Sequence, residues 1–390
     1  MQRRRIAIIG STGSIGRQAL DVVREHRELF QVELLCAGSN ADLLARQAME
    51  YDPANAVICK EDRYPQLCDA LAGGRVKAYC GMEAACELLG GDGVDMVLVC
   101  TVGFSGLRPT VAAIKAGKPV ALANKETLVA GGSLVMDLAR HHNVPILPVD
   151  SEHSAIFQCL LGASGNKLSR IHLTASGGPF RNWSKEQIYG ATKEQALRHP
   201  RWNMGAKITI DSASMMNKGF EMIEACWLFG VRPRDINIVI HPESIIHSMV
   251  EFEDGAVIAQ LGHPDMREPI QFALSFPERL PLSNKKLDFA ELGSLSFSRP
   301  EPEKFPCLGL AFEAMARGGN IPCVMNSANE AAVAAFLAGR IPFGAIPEII
   351  STCMAGAFFI PSPTLEDIFE CNEESHARTV EMIDKRTWQS

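Results

Sequence analysis

The sequence predicts an α/β protein in three parts: an N-terminal doubly wound, Rossmann-like domain over 1–150, a central α/β domain over 151–275 and a C-terminal helical domain over 305–390. Three observations predict it. Short β-rich runs alternate with helical segments through the first 150 residues, which is the pattern of a parallel sheet wound on both faces. A proline- and charge-rich stretch over 276–304 reads as an extended connector. At 390 residues the chain also exceeds what one hydrophobic core usually organises.

In the first part the strand candidates are 5–9, 32–36, 56–59, 94–100, 119–123 and 145–149. They are apolar throughout instead of alternating, as strands covered on both faces are. After Ser151 the pattern changes. The runs 247–253 and 256–261 flank Asp254-Gly255 and predict a hairpin, so the second sheet is antiparallel or mixed. A long helix is expected over 212–229, and helix-period apolar positions recur over 308–317, 328–337 and from Cys371 onward.

Composition narrows the partners. A hydrophobic fraction of 47%, a charged fraction of 21% and a net charge of -7 describe a folded globular protein without the basic surplus that phosphate-backbone or membrane binding needs. Small-molecule partners are expected, with no nucleic acid and no membrane. The 12 cysteines are scattered without C-x-x-C pairs, which favours free thiols in a reducing, cytoplasmic setting over disulfides or zinc. The N-terminus runs straight into a glycine motif and reads as mature chain.

That motif places Gly10, Gly13 and Gly16 in a G-x-x-G-x-x-G spacing, after a predicted strand and before the helical segment 17–27. Backbone N–H groups of Thr12, Gly13, Ser14 and Ile15 are then candidates to cradle a pyrophosphate; the alternative is a structural turn. The second strand ends in Ala37-Gly38-Ser39-Asn40 without the acid that holds a ribose 2'-hydroxyl, so Gly38, Ser39 and Asn40 favour NADP over NAD. Asn124-Lys125-Glu126 closes the strand 119–123, where Lys125 is a candidate donor to substrate or simply half of a solvated Lys-Glu pair. Thr101-Val102-Gly103 either approaches the coenzyme or forms a plain loop.

Asp150-Ser151-Glu152 follows the strand 145–149. In extended backbone the two carboxylates face one side, where they suit Mg2+ or Mn2+. Glu221, with Asn217 four residues and Lys218 three residues before it on one helix face, offers a third ligand, although a surface Lys-Glu pair has the same spacing. Ser212, Ser214, Asn217 and Lys218 make a helix start that suits a phosphate. Ser176-Gly177-Gly178-Pro179 begins, and His199-Pro200-Arg201-Trp202-Asn203-Met204-Gly205 ends, a candidate lid over 176–205, or an ordinary surface loop.

These segments, with Ala-Asn-Lys-Glu from Ala123, Val-Asp-Ser-Glu-His from Val149, Thr-Ala-Ser-Gly-Gly-Pro-Phe from Thr174, Asp-Ser-Ala-Ser-Met-Met-Asn-Lys-Gly-Phe-Glu from Asp211 and Asn326-Ser327-Ala328-Asn329-Glu330, resemble the 1-deoxy-D-xylulose 5-phosphate reductoisomerase family. The resemblance implies a homodimer of the non-mevalonate isoprenoid pathway. It implies rearrangement and NADPH-dependent reduction of 1-deoxy-D-xylulose 5-phosphate to 2-C-methyl-D-erythritol 4-phosphate, with Mg2+, Mn2+ or Co2+. By position it implies that Asp150, Glu152 and Glu221 hold the metal and that Lys125 and Ser151 touch the substrate. Ser176, Ser212, Asn217 and Lys218 hold its phosphate with His199 nearby among the substrate-binding residues, and Trp202 and Met204 sit in the lid. Thr12 to Ile15, Gly38 to Asn40, Asn124, Glu126 and Gly205 line the coenzyme. Ser39 departs from the basic residue many members carry there. Competing readings are a metal-free NADP-dependent dehydrogenase of a small aldehyde or ketone, and a non-catalytic coenzyme sensor.

Overall fold

The computed structural model describes residues 3–163, 165–202 and 204–389. In chain order the elements run β1 (Arg4–Ile9), α1 (Ser14–Glu25), β2 (Phe30–Ala37), α2 (Ala41–Tyr51), β3 (Asn55–Ile58), α3 (Tyr64–Leu71), β4 (Lys77–Cys80), α4 (Met82–Leu89), β5 (Met96–Val99), α5 (Leu107–Lys115), β6 (Val120–Leu122), α6 (Glu126–His141) and β7 (Ile146–Pro148). There follow α7 (Ser151–Leu161), β8 (Leu168–Ala175), α8 (Lys185–Tyr189), α9 (Lys193–Ala196), α10 (Ala206–Ala213), α11 (Met216–Phe229), β9 (Ile236–Ile240), β10 (Ile246–Phe252) and β11 (Val257–Leu261). The chain closes with α12 (Arg267–Ser275), α13 (Phe289–Leu292), α14 (Pro306–Arg317), α15 (Ile321–Leu337), α16 (Ala345–Ala355) and α17 (Leu365–Lys385).

Two compact units result. The first holds the chain up to Thr127, Val135–Ser154 and Asp265–Asn284; the second holds Leu128–Leu134, Ala155–Pro264 and the chain from Lys285 on. In the first unit seven parallel strands lie in the order β4-β3-β2-β1-β5-β6-β7. Ile6, Ala7, Ile8 and Ile9 of β1 are all fully buried, as the unbroken apolar run requires of a strand covered on both faces. Connections leave β1 and β5 in opposite directions along the sheet, so their carboxyl ends open the crevice where such sheets take ligands. β4 escaped the sequence reading because Lys-Ala-Tyr-Cys is a short, half-exposed edge with no apolar run.

The expected domain limits differ from these units. Asp265–Asn284, assigned to the central domain and the connector, belongs to the first unit. There His26 Nε2 lies 3.0 Å from Gln271 Oε1 and 2.8 Å from the Pro281 carbonyl, and Glu25 accepts hydrogen bonds from Ser283 N at 2.6 Å and Ser283 Oγ at 2.7 Å. The prolines that suggested a connector thus shape a segment tied down by polar contacts to α1 and its C-terminal end.

In the second unit β8 pairs in parallel with β9 and antiparallel with β10, and β10 and β11 form the expected hairpin across Gly255, whose φ is 85°. The expected helices over 308–317, 328–337 and from Cys371 onward appear as α14, α15 and α17, and α16 joins them. α15 is buried along almost its whole length, which is why its apolar positions show little one-sided periodicity. The helix expected over 212–229 is two helices: Met215 adopts φ 62° and separates α10 from α11.

Candidate active site

At the carboxyl edge of the parallel sheet, Gly10 has φ 105°, and a Cβ there would lie 2.7 Å from the Cys100 carbonyl oxygen. A Cβ at Gly16 would fall 2.4 Å from the Gly10 carbonyl oxygen. Only glycines let this loop close against β5 and turn directly into α1. Gly13 is the N-cap of α1 and no side chain caps that helix, so the turn through Thr12, Ser14 and Ile15 presents backbone N–H groups of the kind an anion takes up. The residues therefore fit a pyrophosphate.

Of the other coenzyme candidates, Gly38 and Ser39 lie on the loop between β2 and α2, and Asn40 caps α2 by accepting from Leu43 N at 3.0 Å. The buried Asn124 side chain is structural: Nδ2 donates to the Thr101 carbonyl (2.9 Å), the Gly103 carbonyl (2.8 Å) and Glu126 (3.0 Å), while Oδ1 accepts from Thr127 N at 3.0 Å. It ties the loop after β5 to the start of α6.

Lys125 is not a solvated helix start. It is 5% exposed, and its Nζ stands 2.6 Å from Asp150 Oδ2. The wholly buried His153 brings Nδ1 to 3.6 Å from the same oxygen. Burial alone pushes the Asp150 carboxyl toward its neutral form, but the Lys125 ammonium and the His153 imidazole outweigh it and hold the group well below the usual carboxylate range. The result is a half-buried oxygen donor that favours its anionic form, which fits a hard divalent cation. His153 was missed as a site residue, although it sits one helical turn after Asp150.

Asp150 and Glu152 do not face one side from extended backbone, contrary to expectation. The chain turns helical at Ser151, whose N–H donates to Asp150 Oδ1 at 3.0 Å, so the two carboxylates are not alternate residues of a strand. Glu152 lies in the first turn of α7 and accepts from Ser151 Oγ at 2.6 Å.

In the second unit Glu221 is 1% exposed and Lys218 4% exposed, so their pairing is not the surface bridge that the spacing also allowed. Lys218 Nζ donates to Glu221 Oε2, and Asn217 Nδ2 donates to Glu221 Oε1 at 2.5 Å. Ser212 belongs to the preceding helix. Gly178 (φ 65°) allows the Ser176 loop to reach that helix, since a Cβ there would be 2.7 Å from the Ser212 carbonyl. Asp211, beside Ser212 and 1% exposed, is held by Lys207 at 2.8 Å and by Asn329 at 2.8 Å. Asn329 thereby anchors α10 to α15, a long-range contact that spacing could not announce.

His199 Nδ1 accepts from Trp202 N (2.9 Å) and Arg201 N (3.3 Å), so Nε2 carries the proton toward Ser176 Oγ, 3.1 Å away. Trp202 lies with its ring centroid 6.3 Å from that of His247. The lid segment carries two short helices, α8 and α9, each opened by a capping box. Gly205 caps α10; Asn203 lies outside the described residues.

Comparison with known proteins covers nearly the whole chain. Family models match at residues 6–132 (1-deoxy-D-xylulose 5-phosphate reductoisomerase), 146–229 (its C-terminal domain) and 261–378 (DXP reductoisomerase C-terminal domain). The chain is 53% identical over 385 residues to the 1-deoxy-D-xylulose 5-phosphate reductoisomerase of Bacteroides fragilis, covering 99% of each, and 50% identical over 369 residues to that of Chlorobium phaeobacteroides, covering 95% and 96%. Among solved structures, it is similar to the Zymomonas mobilis enzyme in complex with NADPH (TM-score 0.91, 43% identity, 98% and 99% of the chains). It is likewise similar to a DOX-P reductoisomerase in complex with NADPH, fosmidomycin and magnesium (TM-score 0.93, 40% identity, 98% of each).

Proposed function

The chain belongs to the 1-deoxy-D-xylulose 5-phosphate reductoisomerase family, and from that premise we propose how its own residues carry out the family's reaction. It is an NADPH- and divalent-metal-dependent enzyme of isoprenoid biosynthesis that rearranges and reduces 1-deoxy-D-xylulose 5-phosphate to 2-C-methyl-D-erythritol 4-phosphate. Asp150, Glu152 and Glu221 are the metal ligands in this reading. When bound, a divalent cation polarises the substrate's carbonyl and hydroxyl oxygens as a Lewis acid, and NADPH supplies the hydride.

The protein's part is orientation and charge. Asp150 is kept ionised by Lys125 and His153, and Lys125 and Ser151 donate to the substrate's oxygens from the same edge. His199 Nε2–H, Ser176, Ser212, Asn217 and Lys218 hold the phosphate, with Lys218 and Asn217 exchanging the Glu221 carboxylate for it. Trp202 and Met204 close over the sugar and exclude water. Thr12 to Ile15 take the pyrophosphate, Gly38 to Asn40 the adenosine end, and Gly205 with the backbone around Asn124 and Glu126 the nicotinamide side. The observation that carries this reading is the Asp150 carboxylate set 2.6 Å from the buried Lys125 ammonium and 3.6 Å from the buried His153 ring.

The same reading takes Mn2+ or Co2+ as substitutes for Mg2+, a homodimer, and a cytoplasmic enzyme in which the 12 cysteines are free thiols. Among the described residues no helix is long and apolar enough to cross a membrane. The test is oxidation of NADPH on addition of 1-deoxy-D-xylulose 5-phosphate. Oxidation that stops with a chelator and returns with Mg2+ or Mn2+ supports the reading; oxidation indifferent to the chelator would restore the metal-free dehydrogenase.

A further inference from the structure

We propose that Lys60, at the end of β3, carries the positive charge that recognises the coenzyme's 2'-phosphate in this chain, an inference that rests on the coenzyme reading of residues 38–40. The end of β2, Ala37-Gly38-Ser39-Asn40, offers neither a carboxylate for a ribose 2'-hydroxyl nor a cation for a phosphate. A phosphate monoester carries a charge of about -1.5 to -2 near neutral pH, which hydroxyl and amide donors alone leave uncompensated. Asn40 is also committed, because its Oδ1 caps α2.

Register supplies the missing charge. β2 and β3 run parallel, with Cys36 opposite Val57 and Ala37 opposite Ile58. Carried past the strand ends, the same offset sets Ser39 opposite Lys60. The backbone follows it: Cys59 N donates to the Ala37 carbonyl and Lys60 N to the Gly38 carbonyl, both at 2.9 Å. Paired residues of parallel strands project to the same side, so an extended lysine side chain reaches the space above Ser39. Lys60 is exposed, and among the described residues it has no ion-pair partner. Arg63, the next cation along the chain, already lies 3.4 Å from Asp62. The first turn of α2, which begins at Ala41, adds a favourable dipole to the same place. Selectivity for NADPH is therefore shared between the hydroxyl-bearing loop after β2 and a charge delivered from the neighbouring strand.

Calorimetric titration of the intact protein with NADPH, NADH and adenosine 2',5'-bisphosphate tests this without turnover. Lys60→Ala is expected to weaken NADPH and the bisphosphate about tenfold, to change NADH less than about twofold, and to flatten the salt dependence of NADPH binding. Lys60→Arg restores the affinity. Equal weakening of NADPH and NADH, or no weakening at all, would each overturn the proposal. Ser39→Asp separates it from the reading beneath: if that variant spares NADPH, residues 38–40 are not the 2'-phosphate loop, whereas NADPH loss in Ser39→Asp beside an unaffected Lys60→Ala removes Lys60 alone.

Discussion

The Lys125–Asp150 pair of the first unit and the Lys218–Glu221 pair of the second each set a buried lysine against a carboxylate, yet they are built in opposite ways. Lys218 and Glu221 are three residues apart on one helix, so the helix alone brings them together. Lys125 and Asp150 come from the ends of two strands, and they meet because β6 and β7 are neighbours in register, Leu122 opposite Pro148. The helical pair is a local device that spacing announces; the strand-end pair is a product of the whole sheet. In both, an ammonium lies against a carboxylate proposed as a metal ligand, and at Asp150 it helps to hold the carboxyl below its usual range.

The largest expected effect comes from breaking either pair at its carboxylate. Asp150→Asn and Glu221→Gln should each lower kcat/KM by at least about a thousandfold, because a ligand is lost and a buried lysine is left poorly compensated. Both should also cost about 3 kcal/mol or more in a urea titration. Equal stability loss would mean the two pairs differ only in origin.

Removing the lysines sharpens the contrast. Lys218→Gln should raise KM about a hundredfold with a smaller change in kcat, as expected of a phosphate contact, whereas Lys125→Gln should act mainly on kcat. Steady-state kinetics with 1-deoxy-D-xylulose 5-phosphate reads the split, and identical profiles would erase it.

A pH series isolates the strand-end pair. Burial by itself raises the Asp150 carboxyl, but Lys125 and His153 bring it well below its unfolded value of about 4. A depressed folded value contributes stability above that unfolded value and loses it as pH falls through the folded one. The stability gap between the protein and Asp150→Asn should therefore stay level from about pH 5 to 8 and narrow below about pH 4. A gap that closes near pH 6 would mean the carboxyl is not held ionised.

The smallest effect concerns the support of the phosphate site. Asn329→Ala removes one of the two partners of buried Asp211 and should cost about 1–2 kcal/mol, with KM rising more than kcat falls.

The parallel strands were legible because fully covered strands are unbroken apolar runs, and the glycine loop because its close approach to β5 tolerates no Cβ. Asn217, Lys218 and Glu221 were legible because helical spacing places them on one face. What stayed hidden depends on tertiary contact. Nothing in a local window tells that residues 265–284 return to α1, that Asn329 holds Asp211, or that the chain becomes helical at Ser151. His153 lay within reach, since a histidine one turn after a strand-end aspartate is a signal that helical spacing could have supplied.

Asp150, Glu152 and Glu221 are proposed to hold one divalent cation. Titration of Mn2+ into the protein and into Asp150→Asn, Glu152→Gln and Glu221→Gln, followed by the electron paramagnetic resonance of free Mn2+, tests it most directly. One site per chain is expected, weakened at least about tenfold in each folded variant. Unchanged Mn2+ affinity in any one of the three would contradict it and remove that residue from the site.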